Sequence, residues 1–423
     1  MIFLSGMSKR SFAEVLATLA PADHVDEIAL YDSGKEISRI PNITGKAGSV
    51  RVLSNSLGFE DGLLTQEDIS VILERFAEHT EYEIAHPEEG RHPTVRLFLD
   101  AQTRKTNSLR GVLHFDIPAG LEQRVLELHE VKKAGKLGEK RQGALDTFEQ
   151  VMDLLEKGYL RTAQYNGDGW KVNEWVKKGI LLGFAVGANH KYGYGDIQFV
   201  DKDTLPLRII DTRSEIRVVP PAAGLRKGSY AGKGTIFMPP AYVNVGAFVG
   251  RDTMAESLVG SCAQVGKKSH ISAGAVIGGV LDPIEASPVI LGDYVLMGEG
   301  SGVTQGTRLG DLVTLAPGVH ISKGTPIADV INKKVYASGG TYSLEEDGIG
   351  TTNGSRIRFF TRTWKESEKD KSYGPEVPRG ALIVPRASLL SSTGELVSVP
   401  TIVKYIDSPN ERSYALEEAL RSN

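Results

Sequence analysis

The stretch LGDYVLMGEGSGVTQGTRLGDLVTLAPGVHISKGTPI (291–327) decides the fold. Within it an aliphatic residue returns every six positions, at Leu291, Met297, Val303, Leu309, Leu315, Ile321 and Ile327, followed in most cases by a small residue. A second run keeps the same period at Val259, Val265, Ile271 and Ile277. A helix repeats near 3.6 residues and a strand alternates every two, so a period of six marks a repeat in which each hexad makes one short face and one turn. Hexads of this kind predict a left-handed parallel β-helix. The aliphatic residue points inward and stacks on its copies in neighbouring coils, while Gly, Ala and Ser permit tight corners. The competing reading is chance alignment of common residues, and two runs obeying one rule argue against it.

Working outward, the hexads are interrupted at GGVLDPIEASPVI (278–290), where Pro283 and Pro288 forbid regular continuation. This segment is read as a loop leaving the coil, either a wall of a binding site or a plain surface excursion. Glycine density fits the repeat. The chain carries 47 glycines in 423 residues, against roughly 7% in an average protein, and they cluster between 224 and 324.

On the N-terminal side, ALDTFEQVMDLLEK (144–157) puts Phe148, Val151, Met152 and Leu155 on one helical face before Gly158. Lys171–Phe184 reads as a second helix, with Val172, Trp175 and Val176 on one side. Further upstream, Thr65 and Asp68 form a capping box ahead of Ile69, Ile72, Leu73 and Phe76. Val95–Leu99 and Val112–Ile117 are expected as strands, and KKAGKLGEKRQG (132–143) as a solvated linker. After the repeat, short strands are expected at Ala381–Val384, Val397–Val399 and Ile402–Ile406, and a short helix at Ala415–Leu420. The resulting architecture is mainly β. Residues 1–142 form an additional α+β domain and linker, 143–215 a helical domain, 216–330 the β-helix, and 331–423 a C-terminal β region with an inserted loop.

Composition bounds the function. A net charge of −4 argues against a nucleic-acid carrier, and no apolar stretch reaches membrane-spanning length. One cysteine, Cys262, excludes an internal disulfide, and the opening MIFLSGMSKRSF lacks a long apolar core. The expected location is therefore the cytoplasm. His270 and His320 both end a hexad, but no third repeat histidine joins them and His190 lies outside the repeat, so no metal site is expected.

Three blocks, GWKVNEWVKKGILLGF (169–184), IRVVPPAA (216–223) and VGSCAQVGKKSHISAGAVIGGVLDP (259–283), resemble the tetrahydrodipicolinate N-succinyltransferase family of lysine and diaminopimelate synthesis. YGPEVPRGALIVP (373–385) and VPTIVKYID (399–407) resemble its C-terminal pattern. The first ~140 residues and 335–372 are additions to the shorter members. The resemblance implies a homotrimer with active sites in clefts between neighbouring β-helices. It implies succinyl-CoA as acyl donor, with acetyl-CoA the alternative, lying along the coils at Gly298, Ser301, Gly318 and Gly324. It implies an amino-dicarboxylate acceptor, held by Arg217, Ser261 and Glu256. A guanidinium fork suits a carboxylate, and a carboxylate near an amine can serve as base or, in a divergent branch, as nucleophile.

One departure stands out. Val249 and Val259 are ten residues apart where whole hexads give twelve, and Glu256 occupies the expected acid position in this shortened coil. The second acid of the shorter members falls at Gly302, so it is missing, with Glu299 nearby as a substitute. An N-acyltransferase acting on a related amino-dicarboxylate, or a non-catalytic trimeric scaffold whose N-terminal domain binds a partner, are the alternatives to N-succinylation of tetrahydrodipicolinate.

Overall fold

The computed structural model describes residues 11–411 apart from 107, 168, 195–196, 339, 344–345, 353–354, 361–373 and 390–395. The chain divides into two compact units. The first runs to Pro118 and includes Tyr165–Lys171, and the second comprises Ala119–Gln164 and the chain from Val172 onward. The helix expected at Ala415–Leu420 lies outside the described residues.

The first unit is α+β. Strands β1 (Val25–Asp32), β2 (Lys35–Pro41), β3 (Gly62–Leu63) and β4 (Leu109–Phe115) form one antiparallel sheet in the order β2-β1-β4-β3. Helices α1 (Phe12–Thr18), α2 (Ala47–Leu57), α3 (Gln66–Arg75), α4 (Glu78–Ala85) and α5 (Pro93–Arg104) accompany it. Ile28, Leu53, Ile69, Phe98 and Leu113 share its core. The capping box forms, with Thr65 Oγ1 accepting from the Asp68 N–H at 3.1 Å and the Asp68 carboxylate accepting from the Thr65 N–H at 2.9 Å. The strand expected at Val95–Leu99 is instead part of α5. Pro93 opens that helix, and Val95, Phe98, Leu99 and Ala101 bury one helical face, a spacing that the alternation of Val95, Leu97 and Leu99 conceals.

The second unit begins with helices α6 (Leu121–Lys133), α7 (Arg141–Glu156) and α8 (Glu174–Val186). The segment 132–143 is not a solvated linker. A 3-10 turn at Leu137–Lys140 buries Leu137 with Leu128, Ala144, Leu182 and Val186 before α7 starts. Its charges sit on the outer side of a packed corner.

From Arg217 onward the chain visits three parallel sheets in turn, as two-residue strands joined by corners. The second residue of each strand faces inward. In the first sheet these are Leu225, Val243, Val259, Ile277, Val303 and Ile321. In the second they are Ala231, Val249, Val265, Leu291, Leu309 and Val377, and in the third Val218, Phe237, Ala255, Ile271, Met297, Leu315 and Ile383. They fuse into one core. Gly224 pairs with Tyr242 and Gly302 with His320, eighteen residues on, so the three parallel sheets stack coil upon coil as a β-helix.

Three irregularities punctuate the register. Tyr242 pairs with Leu258, sixteen residues on, because the corner after Ala255 holds only Glu256 and Ser257. Val276 pairs with Gly302 across the 278–290 excursion. After Ile321 the chain leaves again, and Glu376–Val377 returns to complete the coil over Arg308–Leu309. The place foreseen for Ile327 is thus filled by Val377. Ile327 instead starts a strand, Ile327–Asp329, that pairs antiparallel with Lys334–Ala337 and parallel with Leu396–Tyr405.

Helix α7 and the loop after it pack on the second sheet. Tyr230 and Phe248 stack at 4.5 Å, and buried Arg161 lies 3.7 Å over the Phe248 ring while its Nε donates to Gln264 Oε1 at 2.9 Å. The first and third sheets keep outer residues in solvent, Leu258, His320 and Arg217 among them. No helix among the described residues is long and apolar enough to cross a membrane.

Corner glycines have two separate duties. A methyl group on Gly298 would lie 2.5 Å from Pro317 N in the next coil, whereas Gly318 holds φ +71°. Gly298→Ala is therefore expected to lose about 1–3 kcal/mol in chemical denaturation through overpacking. Gly324→Ala, with nothing within 4 Å of the added methyl, is expected to stay within about 0.5 kcal/mol of the parent. Equal losses in the two variants would contradict this stacking.

Candidate active site

The corners of the β-helix carry most of the residues singled out by sequence. On the edge between the third and first sheets lie Glu256, then, two coils on, Gly298, Glu299 and Ser301 in one corner, and Gly318 in the corner after that. On the edge between the first and second sheets lie Ser261, the 278–290 excursion and Gly324. Arg217 stands apart, at the start of the third sheet. The fold thus gathers the candidates into two edges rather than one pocket of a single chain.

Glu256 sits in the short corner, its N–H donating to the Ile271 carbonyl at 2.9 Å. Its carboxylate is partly exposed and lies 4.0 Å from Nε2 of His270, the outward residue of the neighbouring coil. Arg217 is fixed by its backbone, whose N–H donates to the Thr235 carbonyl at 2.9 Å, while the side chain is exposed and makes no ion pair among the described residues. An unpaired guanidinium on a rigid strand is free to take a carboxylate bidentately.

Ser261 ties its corner to the excursion, because its carbonyl accepts the Val280 N–H at 3.0 Å. The excursion is also pinned from α8. Lys177 is fully buried and its Nζ donates to the Ala286 carbonyl at 2.6 Å. Burial lowers the pKa of this ammonium, opposed chiefly by Cys262 and Glu174. Sequence reading missed Lys177, although the signal is present: it shares the buried side of α8 with Val176 and Ile180, where an ordinary surface lysine would not fall.

The remaining candidates separate cleanly. Glu299 is exposed, and its carbonyl accepts the Gly318 N–H at 2.9 Å. Ser301 is fully buried with its hydroxyl unpartnered among the described residues, so it offers no surface to a ligand. It occupies the corner position that holds Ala275 and Val319 in adjacent coils, and all three point into the core. Gly302 lies beneath His320, and a Cβ there would be 2.5 Å from His320 Nδ1. The imidazole therefore fills the space that an acidic side chain at 302 would need. His270 and His320 stand on different sheets, and among the described residues no group of three or more metal-ligating side chains gathers.

Comparison with known proteins adds to this geometry. Residues 120–186 match the family model described as tetrahydrodipicolinate N-succinyltransferase N-terminal. The 2,3,4,5-tetrahydropyridine-2,6-dicarboxylate N-succinyltransferase of Idiomarina loihiensis is 30% identical over 311 residues, 71% of this chain and 98% of the relative. The chain belongs to the tetrahydrodipicolinate N-succinyltransferase family. A relative of the same name from Sodalis glossinidius is 38% identical over 286 residues, 66% of this chain and 89% of its own. Residues 12–110 match a second family model, described as an uncharacterized protein conserved in bacteria. Among solved structures, a putative 2,3,4,5-tetrahydropyridine-2-carboxylate N-succinyltransferase from Campylobacter jejuni overlaps 94% of this chain and 98% of its own. Its 18% identity and TM-score of 0.35 are too low to equate the two folds.

Cys262, inside the GSCA corner, gives a chemical check on the packing. Burial pushes its thiol up to about 12, with Lys177 pulling the other way. Alkylation requires the thiolate, so the native chain near pH 8 should resist iodoacetamide while the unfolded chain reacts readily. Because the folded pKa is raised, the thiol's contribution to stability is fully present below its unfolded value of about 8.5 and is lost as pH rises through about 12. Rapid stoichiometric labelling of the native chain would contradict this burial.

Proposed function

We propose that the chain transfers a succinyl group from succinyl-CoA to the amine of tetrahydrodipicolinate, a cytoplasmic step of lysine and diaminopimelate synthesis. The observation that carries this reading is the match to the Idiomarina loihiensis relative over 98% of that protein's length. Support comes from the site. Arg217 presents an exposed guanidinium suited to one acceptor carboxylate, and Glu256 presents a carboxylate at the corner edge, where it takes the proton released as the amine attacks the thioester. The CoA arm runs along the corners at Gly298 and Gly318, with Gly324 on the neighbouring edge, and Ser261 lines the acceptor side. The β-helix is left-handed.

A second reading has its own observation. With glycine at 302 and the His320 ring over it, the acceptor site has no carboxylate at that point, which suits a related amino-dicarboxylate acceptor or an acetyl donor.

Steady-state kinetics on variants tests the assignment. Glu256→Gln should lower kcat by about 10²–10⁴-fold, the range for a lost general base, with KM for both substrates little changed. Glu299→Gln serves as control and should stay near the parent. Arg217→Lys should raise the acceptor KM more than the CoA KM, because a point ammonium cannot reproduce the fork. An active Glu256→Gln beside an inactive Glu299→Gln would move the base to Glu299, and equal losses for both ligands would remove Arg217 from the acceptor site.

The chain acts as a homotrimer, since cyclic closure would cover the outer faces of the first and third sheets, where Leu258 is 38% exposed. Light scattering should return the mass of three chains. A stable monomer at working concentration would overturn the assembly.

A further inference from the structure

Glu256 has a partner that the reaction can use. His270 is the outward residue of the strand His270–Ile271, with Ile271 in the core, and its Nε2 lies 4.0 Å from Glu256 Oε1. Met254 and Leu296 flank it in register, and Lys268, two residues earlier, turns instead to the Tyr294 ring at 5.6 Å. Glu256 is the acid within ion-pair distance of His270 among the described residues. The contact owes its existence to the short corner, which leaves the carboxylate beside the next coil rather than out at the tip of a longer turn. It is not needed to hold the coil together, since an exposed pair of this kind contributes little stability.

We propose that Glu256 and His270 form a proton-handling dyad, in which the carboxylate takes the proton of the attacking amine and the His270 imidazole receives it from Glu256 and passes it to water. The proposal rests on the acyltransferase reading above. The balance is simple. The amine nitrogen forms its bond to the acyl carbon and gives up one proton, the C–S bond breaks, and the CoA thiolate leaves with that electron pair and is reprotonated from solvent. Passing the proton on to His270 returns Glu256 to its carboxylate form, so the base is reset for the next turnover. His270, with a side chain 40% exposed, can release the proton directly. Both side chains are partly exposed, so the remaining approach to hydrogen-bond distance is a torsional adjustment as substrate closes the site. His270 acts through Glu256 and does not touch the reacting atoms.

The test is His270→Asn in the full-length chain, which keeps an N–H donor but cannot titrate in the working range. We expect kcat to fall about 10–100-fold, KM for both substrates to stay within about twofold, and added free imidazole to restore turnover in step with its unprotonated fraction. The thermal midpoint should hardly move. A kcat within about twofold of the parent, or a loss that imidazole does not repair, overturns the dyad. A dead His270→Asn beside a fully active Glu256→Gln also overturns it, because the imidazole would then be the base itself. The parent chain, assayed alongside, separates the two levels of argument: if it releases no CoA, the acyltransferase reading falls and takes the dyad with it.

Discussion

The strands and corners of the β-helix are positioned by one constraint, the stacking of an inward aliphatic residue on its copy one coil away. Ile277 over Val259 and Val303 over Ile277 fix the first sheet, and equivalent columns fix the other two. Backbone hydrogen bonds between coils add direction to this apolar stack. Once the inward position is set, the preceding residue must face outward, which is why Arg217, His270, Gly302 and His320 all lie on outer faces. The same rule places Ser301 inside. It stands one residue before its strand, in the corner position that closes over the core, where adjacent coils put Ala275 and Val319.

The stack also explains why the departures from regularity fall in the corners. A coil cannot shift its inward column without breaking the core, so any gain or loss of residues is forced into a corner. The two residues missing after Ala255 shorten one corner and bring Glu256 beside His270. The residues added after Ile277 become the excursion that Lys177 and Ser261 hold in place. Gly302 and His320 show the same logic on a strand, where a side chain removed in one coil makes room for a ring from the next.

The period-six pattern was legible because an interior column tolerates little besides aliphatic residues, so Val259 to Ile277 and Leu291 to Ile321 announce themselves. The pattern fails at Ile327. Its spacing is right, but the chain has already left the coil, and only pairing over fifty residues later reveals Val377 as the true occupant. Spacing reports local phase and says nothing of a long detour. Val95–Leu99 was misleading for a related reason, since a short apolar run satisfies both periods and Pro93 was the better guide. For the proposed site, Arg217 stood out within IRVVPPAA and Glu256 in the shortened coil just ahead of VGSCAQVG. The contacts of Lys177 with Ala286 and of His270 with Glu256 were not, because they join residues of different coils or elements, and no one-dimensional period encodes them.

The account's central claim is that these corners serve an acyl transfer to an amine. Mass spectrometry of products from the parent chain, succinyl-CoA and tetrahydrodipicolinate tests it most directly, with acetyl-CoA as the competing donor. The account predicts an N-succinylated dicarboxylate formed in equal amount to free CoA, and only when both substrates are present. Free CoA without acylated product, or no turnover with either donor, would contradict it.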